Sequence, residues 1–171
     1  MSLIHTANNE TNTFLTNVQE GDIQPNAIDV RLDRVFIIEE ADFVLTEENK
    51  THRGTSELLP NKDGMFVLPT GHYEVVMSNI VSVGENEAGW VKTRSTLNRN
   101  GCFLTSGLYD SNYHGTMAAC LHVYCGTAYI AKGARIGQYI NVSSEMSHGY
   151  RGDYGFDADG TPKQMEAKYH E

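Results

Sequence analysis

T-M-A-A-C-L-H-V-Y (Thr116–Tyr124), T-A-Y-I-A (Thr127–Ala131) and I-G-Q-Y-I-N-V (Ile136–Val142) follow one another, broken by Cys125-Gly126 and Lys132-Gly133. Short apolar runs rich in β-branched and aromatic residues, with a glycine turn signal about every ten residues, read as consecutive strands. Upstream the same pattern recurs. Y-E-V-V-M-S-N-I-V-S-V (Tyr73–Val83) is the longest β-branched run, I-D-V-R-L (Ile28–Leu32) alternates, and R-V-F-I-I-E-E (Arg34–Glu40) is β-branched and aromatic. Phe66–Pro69 and Trp90–Thr93 add short strands, and Leu97–Asn100 suits one short helix. Alternating βα units are absent. An all-β sandwich or barrel is therefore expected.

With 171 residues, 40% of them hydrophobic, the chain is long enough for one domain with a real core and sizeable arms. The expected division is a polar N-terminal arm over 1–20, a β domain over 21–146 and a flexible tail over 147–171. Within the domain, Glu47–Lys62 reads as a polar loop or insertion; the tail is rich in Gly, Asp and Tyr. A net charge of −9 disfavours nucleic acid and anionic membrane, so any phosphate ligand needs a few local cations. There is no apolar run of transmembrane length and no signal peptide, which leads to the expectation of a soluble, cytoplasmic protein. Cys102, Cys120 and Cys125 lack a CxxC spacing and read as free thiols; the histidines show no paired-ligand spacing, so no protein-held metal is expected.

Four constellations carry chemistry. T-S-G-L-Y-D-S-N-Y-H-G (Thr105–Gly115) sets Asp110 three residues ahead of Tyr113 in a glycine-bounded turn, an arrangement suited to activating water beside a flat sugar or base. Arg94-Ser95-Thr96 with Arg99 offers guanidinium forks and hydroxyls for phosphate oxygens. Arg135-Ile136-Gly137-Gln138 presents polar groups from a strand, and Arg151 with Gly155-Phe156 lies where a glycine-rich arm can close over a ligand. Singly, each has an ordinary reading: an Asx turn, a strand-edge aromatic, a solvated loop, a disordered tail. Their order along the chain is more telling.

In that order the sequence resembles the family of trimeric dUTPases and dCTP deaminases, through five blocks between about residues 22 and 156. I-Q-P-N-A-I-D-V-R-L (23–32) is similar to the first block in its deaminase form. L-P-T-G-H-Y-E-V-V-M-S-N-I-V-S-V and G-W-V-K-T-R-S-T-L-N-R-N-G resemble the lead-in and second block. G-L-Y-D-S-N-Y-H-G resembles the third block of dUTPases, K-G-A-R-I-G-Q-Y-I the fourth, and R-G-D-Y-G-F the start of the fifth.

The resemblance implies a distorted jelly roll assembled as a homotrimer, with deoxynucleotide sites between subunits. It implies Asp110 as the general base that orients water toward the α-phosphorus, with Mg²⁺ carried on the triphosphate. Arg94, Ser95, Thr96, Arg99, Gln138 and Arg151 would meet phosphates, and Tyr113 would pack on the deoxyribose. Thr105, Gly107, Leu108 and Tyr109 would hold the base by backbone groups, under Phe156. The deaminase branch of the family places a glutamate on the strand after the third block. Cys120 stands there, and no Asp or Glu occurs from Ser111 to Ser144, leaving Asp110 as the only carboxylate expected at the heart of the site. A thiol is a poor substitute. The implied activity is dUTP to dUMP and pyrophosphate, with deamination of dCTP, alone or coupled, as the alternative. A regulatory nucleotide-binding protein on the same scaffold is the other alternative. Three departures from dUTPases stand out: Leu104 where an asparagine reads uracil, D-A-D-G (Asp157–Gly160) in the fifth block, and Asn98 with a second arginine, Arg99.

Overall fold

The computed structural model describes residues 3–7 and 10–170. Among these, the strands of four residues or more are β1 (Ala27–Ile38), β2 (Thr55–Leu58), β3 (Met65–Leu68), β4 (Gly71–Ser82), β5 (Glu87–Thr93), β6 (Cys102–Thr105), β7 (His114–Val123), β8 (Ala128–Ala131) and β9 (Arg135–Ser143). One α-helix, α1 (Ser95–Arg99), links β5 to β6. No helix among the described residues is long and apolar enough to cross a membrane.

All pairings are antiparallel. β9 lies against β1, β1 against β4, β4 against β7, and β7 against β6, while β5 runs along β9 from Glu87↔Ser143 to Thr93↔Gly137. The two ends of this path meet. Thr93 Oγ1 donates to the Leu104 carbonyl at 3.0 Å and accepts from the Leu104 N–H at 2.8 Å, and Gly89 bridges to Tyr109. The sheet thus curls into a nearly closed, jelly-roll-like barrel, the all-β architecture expected from the sequence. Bulges at Leu32/Arg34, Thr116/Ala118 and Arg135/Gly137 supply the bending.

Alternation on β1, β4 and β7 sends Val30, Leu32, Val75, Met77, Met117 and Leu121 inward, each almost wholly buried. Gly137 permits a close approach inside: a Cβ there would stand 2.4 Å from Val91 and 3.1 Å from Val30. Leu104 belongs to this core.

The N-terminal segment is docked through polar anchors. Phe14–Leu15 pairs with β4, and buried Glu87 accepts from Thr11 and Thr13 hydroxyls, the Asn12 N–H and Asn141. Burial raises the Glu87 pKa, but these hydrogen bonds outweigh burial and bring it below the ordinary 4.5. A carboxyl whose folded pKa is depressed stabilises fully above its unfolded value and loses that contribution as pH falls through the folded one. Amide exchange at Asn12–Leu15, corrected for intrinsic rates, should therefore speed up progressively as pH falls below the ordinary 4.5 and do so earlier than at Val75–Met77. Equal response of the two segments would remove Glu87 as the acid-sensitive anchor.

Within 47–62, Thr55–Leu58 forms β2 and pairs with β1. The segment after Ser147 returns to the sheet and packs against β7, where Glu166 is wholly buried and Tyr169 nearly so.

Candidate active site

The turn between β6 and β7 is stitched to its surroundings by backbone. Tyr109 and Gly89 exchange hydrogen bonds at 2.7 and 3.0 Å, and the Asn112 N–H reaches the Val83 carbonyl at 3.1 Å. Ser111 Oγ donates to the Glu87 carbonyl at 2.6 Å. Asn112 adopts φ 65°, a left-handed conformation that asparagine tolerates better than most residues. The Tyr113 N–H closes the turn on the Asp110 carbonyl at 3.0 Å. Asp110 is therefore an exposed carboxyl on fixed backbone, the condition for aiming a water molecule.

Two cavities flank the turn. One, of about 540 Å³, is lined by Thr105, Gly107, Leu108, Tyr109, Tyr113 and Cys120, with Glu74 and Lys168 beside them. The other, of about 550 Å³, is lined by Asp110, Arg151, Trp90, Ser111, Glu145 and His148. Leu108 and Tyr150 border both, so the two are neighbours. The first is mainly aromatic and apolar; the second holds the carboxyl and a cation. Among the described residues Arg151 has no hydrogen-bond or ion-pair partner.

Tyr113 is buried, its hydroxyl donating to the Thr116 carbonyl at 2.8 Å and its ring packed edge-on to Tyr150. Burial first, then the nearby Glu166, raises its pKa, so it serves as a neutral wall and not as an acid–base group. Cys120 is likewise held protonated, by burial and then by the charge of Glu74. Leu104 faces the core, while its neighbour Thr105 faces the cavity.

The phosphate candidates of the second and fourth blocks gather elsewhere, around Asp29 of β1. Its carboxyl is wholly buried and meets Arg94 at 3.4 Å, Arg135 at 3.3 Å and Gln138 Nε2 at 3.1 Å. Asp29 and Gln138 are register partners across β1 and β9. Ser95, Thr96 and Arg99 are exposed on α1 next to this cluster in the chain. None of these residues lines either cavity beside Asp110. One chain brings Asp110 to Arg151 but not to Arg94 or Gln138.

Phe156 lines neither cavity. It packs between His114 and His170, at ring separations of 5.3 and 5.2 Å. Its approach depends on two glycines: a Cβ on Gly115 would sit 2.5 Å from the Gly155 Cα, and Gly155 has φ 85°. D-A-D-G forms a hairpin tip in which Asp159 accepts from the Thr161 N–H at 3.0 Å.

One expectation is corrected here. The acid-free stretch Ser111–Ser144 does not leave Asp110 as the only carboxyl, because Glu74 of β4 pairs with Cys120 in register and lines the same cavity. Cross-strand pairing supplies what the strand itself lacks. Sequence reading also passed over Asp29, Glu166 and Lys168. An acid inside the alternating I-D-V-R-L was the available signal for Asp29; for the other two there was none. Among the described residues no group of three or more His, Cys, Asp or Glu is placed to hold a metal.

Comparison with known proteins gives a consistent result. The dCTP deaminase-like family model matches residues 2–140. The "Probable deoxyuridine 5'-triphosphate nucleotidohydrolase" of Methanosarcina mazei is 33% identical over 79% of this chain and 81% of its own. The deoxyuridine 5'-triphosphate nucleotidohydrolase of Methanocaldococcus jannaschii is 32% identical over 85% of this chain and 95% of its own. Among solved structures, the 2'-deoxycytidine 5'-triphosphate deaminase of Agrobacterium tumefaciens superposes with a TM-score of 0.57 at 16% identity, over 75% of this chain and 43% of that one, a likeness of fold. The chain belongs to the dCTP deaminase-like family, alongside these archaeal nucleotidohydrolases.

Proposed function

We propose that the chain is a dUTP diphosphatase, hydrolysing dUTP to dUMP and pyrophosphate. The observation that carries this reading is Asp110, an exposed carboxyl on a backbone-locked turn, which lines a polar cavity together with Arg151, and that cavity adjoins an aromatic one at Leu108 and Tyr150. The base and sugar enter the aromatic cavity, with Tyr113 as its wall, and the phosphates extend past Leu108 toward Asp110 and Arg151. Asp110 accepts a proton from the attacking water; the new bond forms to the α-phosphorus and the bond to the bridging oxygen breaks, releasing pyrophosphate. The archaeal relatives carry the same activity in their names.

A triphosphate needs more cation than Arg151 alone. The separation of the Arg94–Gln138 cluster from Asp110 within one chain supports a homotrimer in which a neighbouring subunit presents Arg94, Ser95, Thr96, Arg99 and Gln138. The buried Asp29 carboxyl would orient Arg94 and Gln138 among them. Mg²⁺ would enter as part of the substrate, carried on the phosphate oxygens with its own waters, and neutralise charge there without an all-protein cage.

Deamination of dCTP is the second reading, favoured by one observation, the carboxyl of Glu74 beside Cys120. That carboxyl is already engaged by Lys168 and Tyr169. Incubating the purified protein with dUTP and dCTP in Mg²⁺ separates the two. Pyrophosphate from dUTP without ammonia from dCTP is expected, ammonia from dCTP would establish the deaminase, and binding without either product would mark a regulatory protein.

A further inference from the structure

Lys168 stands in the aromatic cavity with no part in the chemistry above. It lies on the short 3-10 turn Ala167–Tyr169, and its ammonium donates to both oxygens of Glu74, at 2.8 and 3.0 Å. The Tyr169 hydroxyl donates to the same carboxyl at 2.5 Å. The placement is built rather than incidental. Glu166, wholly buried, accepts the Thr116 N–H at 2.9 Å and the Gly155 N–H at 3.1 Å, fixing the turn against β7.

We infer that Lys168 is a specificity-determining residue that selects a keto nucleobase, uracil, over an amino nucleobase, cytosine. This rests on the nucleotide-site reading above. An ammonium has three N–H donors and no acceptor. Lys168 keeps one donor unused, and its side chain is the more exposed of the pair at the cavity, 35% against 18% for Glu74, so it is the member a base reaches first. It can donate to the O4 carbonyl of uracil. Against the N4 amine of cytosine it would set donor against donor, leaving both unpaired. The pair carries no net charge, which suits an uncharged base; the neighbouring cavity with Asp110 and Arg151 suits phosphates. Leu104, buried in the core, takes no part, so this lysine supplies a side-chain reader where the third block offers only backbone. Glu74 acts as a positioning residue for Lys168.

The test is equilibrium binding of the non-hydrolysable α,β-imido analogues of dUTP and dCTP, which is independent of turnover. Lys168→Met should weaken the dUTP analogue by about tenfold to a hundredfold, the range of a hydrogen bond from a charged donor, and leave the dCTP analogue bound as well or better. Lys168→Arg should retain most of the preference, and Glu74→Gln should lose part of it. Equal loss for both bases, or no loss, overturns the inference. Should Lys168→Met fail to fold, the unaltered protein gives the answer. A dUTP analogue with sulfur at position 4 should bind more weakly than one with sulfur at position 2, and equal binding overturns the inference. If dUTP is bound with this preference but not hydrolysed, the proposed chemistry fails and the base-reading role stands.

Discussion

Asp110→Asn should lower kcat for dUTP by about 10²–10⁴-fold, the range of a positioned general base, while the affinity for α,β-imido-dUTP stays nearly constant. The amide keeps the shape of the side chain and the turn owes nothing to it. The turn hydrogen bonds run through Tyr109 and Asn112 backbone, Ser111 Oγ and the Asp110 carbonyl. Asparagine cannot take the proton of the attacking water, so the loss should fall on kcat and spare binding. A parallel rise in Kd would mean that Asp110 holds substrate instead. Undiminished kcat would remove it from the mechanism.

Glu166→Ala should have the next largest effect, this time on stability. The side chain is wholly buried and satisfies two backbone N–H groups from segments far apart in sequence, Thr116 on β7 and Gly155 in the closing segment. Alanine strands both donors at about 1–3 kcal/mol each, which for a chain of this size corresponds to a fall in Tm of roughly 4–24 °C. The same change frees the turn that carries Lys168, so the preference for dUTP over dCTP analogues should fall with it. Glu166→Gln keeps one acceptor oxygen and should lose less on both counts. A melting temperature within a degree or two of the parent would show that the segment is held by other contacts, Tyr169 against Phe36 among them.

What could be read from the sequence divides along physical lines. Tyr73–Val83 and Thr116–Tyr124 are strands because their own β-branched alternation says so, and β4 and β7 span nearly those residues. The Asp110–Tyr113 turn was equally legible, since Gly107, Asn112 and Gly115 mark it locally. Glu74 was not, because only the register of β4 on β7 brings it opposite Cys120. Nor was the packing of the closing segment. It reads as loose from its glycines and aspartates, yet it is docked by the buried Glu166 carboxyl on two backbone N–H groups and by further backbone bonds such as Phe156 N–H to the His114 carbonyl, which leave no pattern in side-chain chemistry. Asp29 lies between these cases: visible as an acid in an apolar strand, but its hold on Arg94 and Arg135 appears only once β1, β9 and the end of β5 adjoin.

Water attack on the α-phosphorus is most directly tested by hydrolysis of dUTP in ¹⁸O-labelled water, followed by mass spectrometry of both products. Attack directed by Asp110 puts the label in the phosphate of dUMP and leaves pyrophosphate unlabelled. Label in pyrophosphate would place the attack on the β-phosphorus and contradict the account.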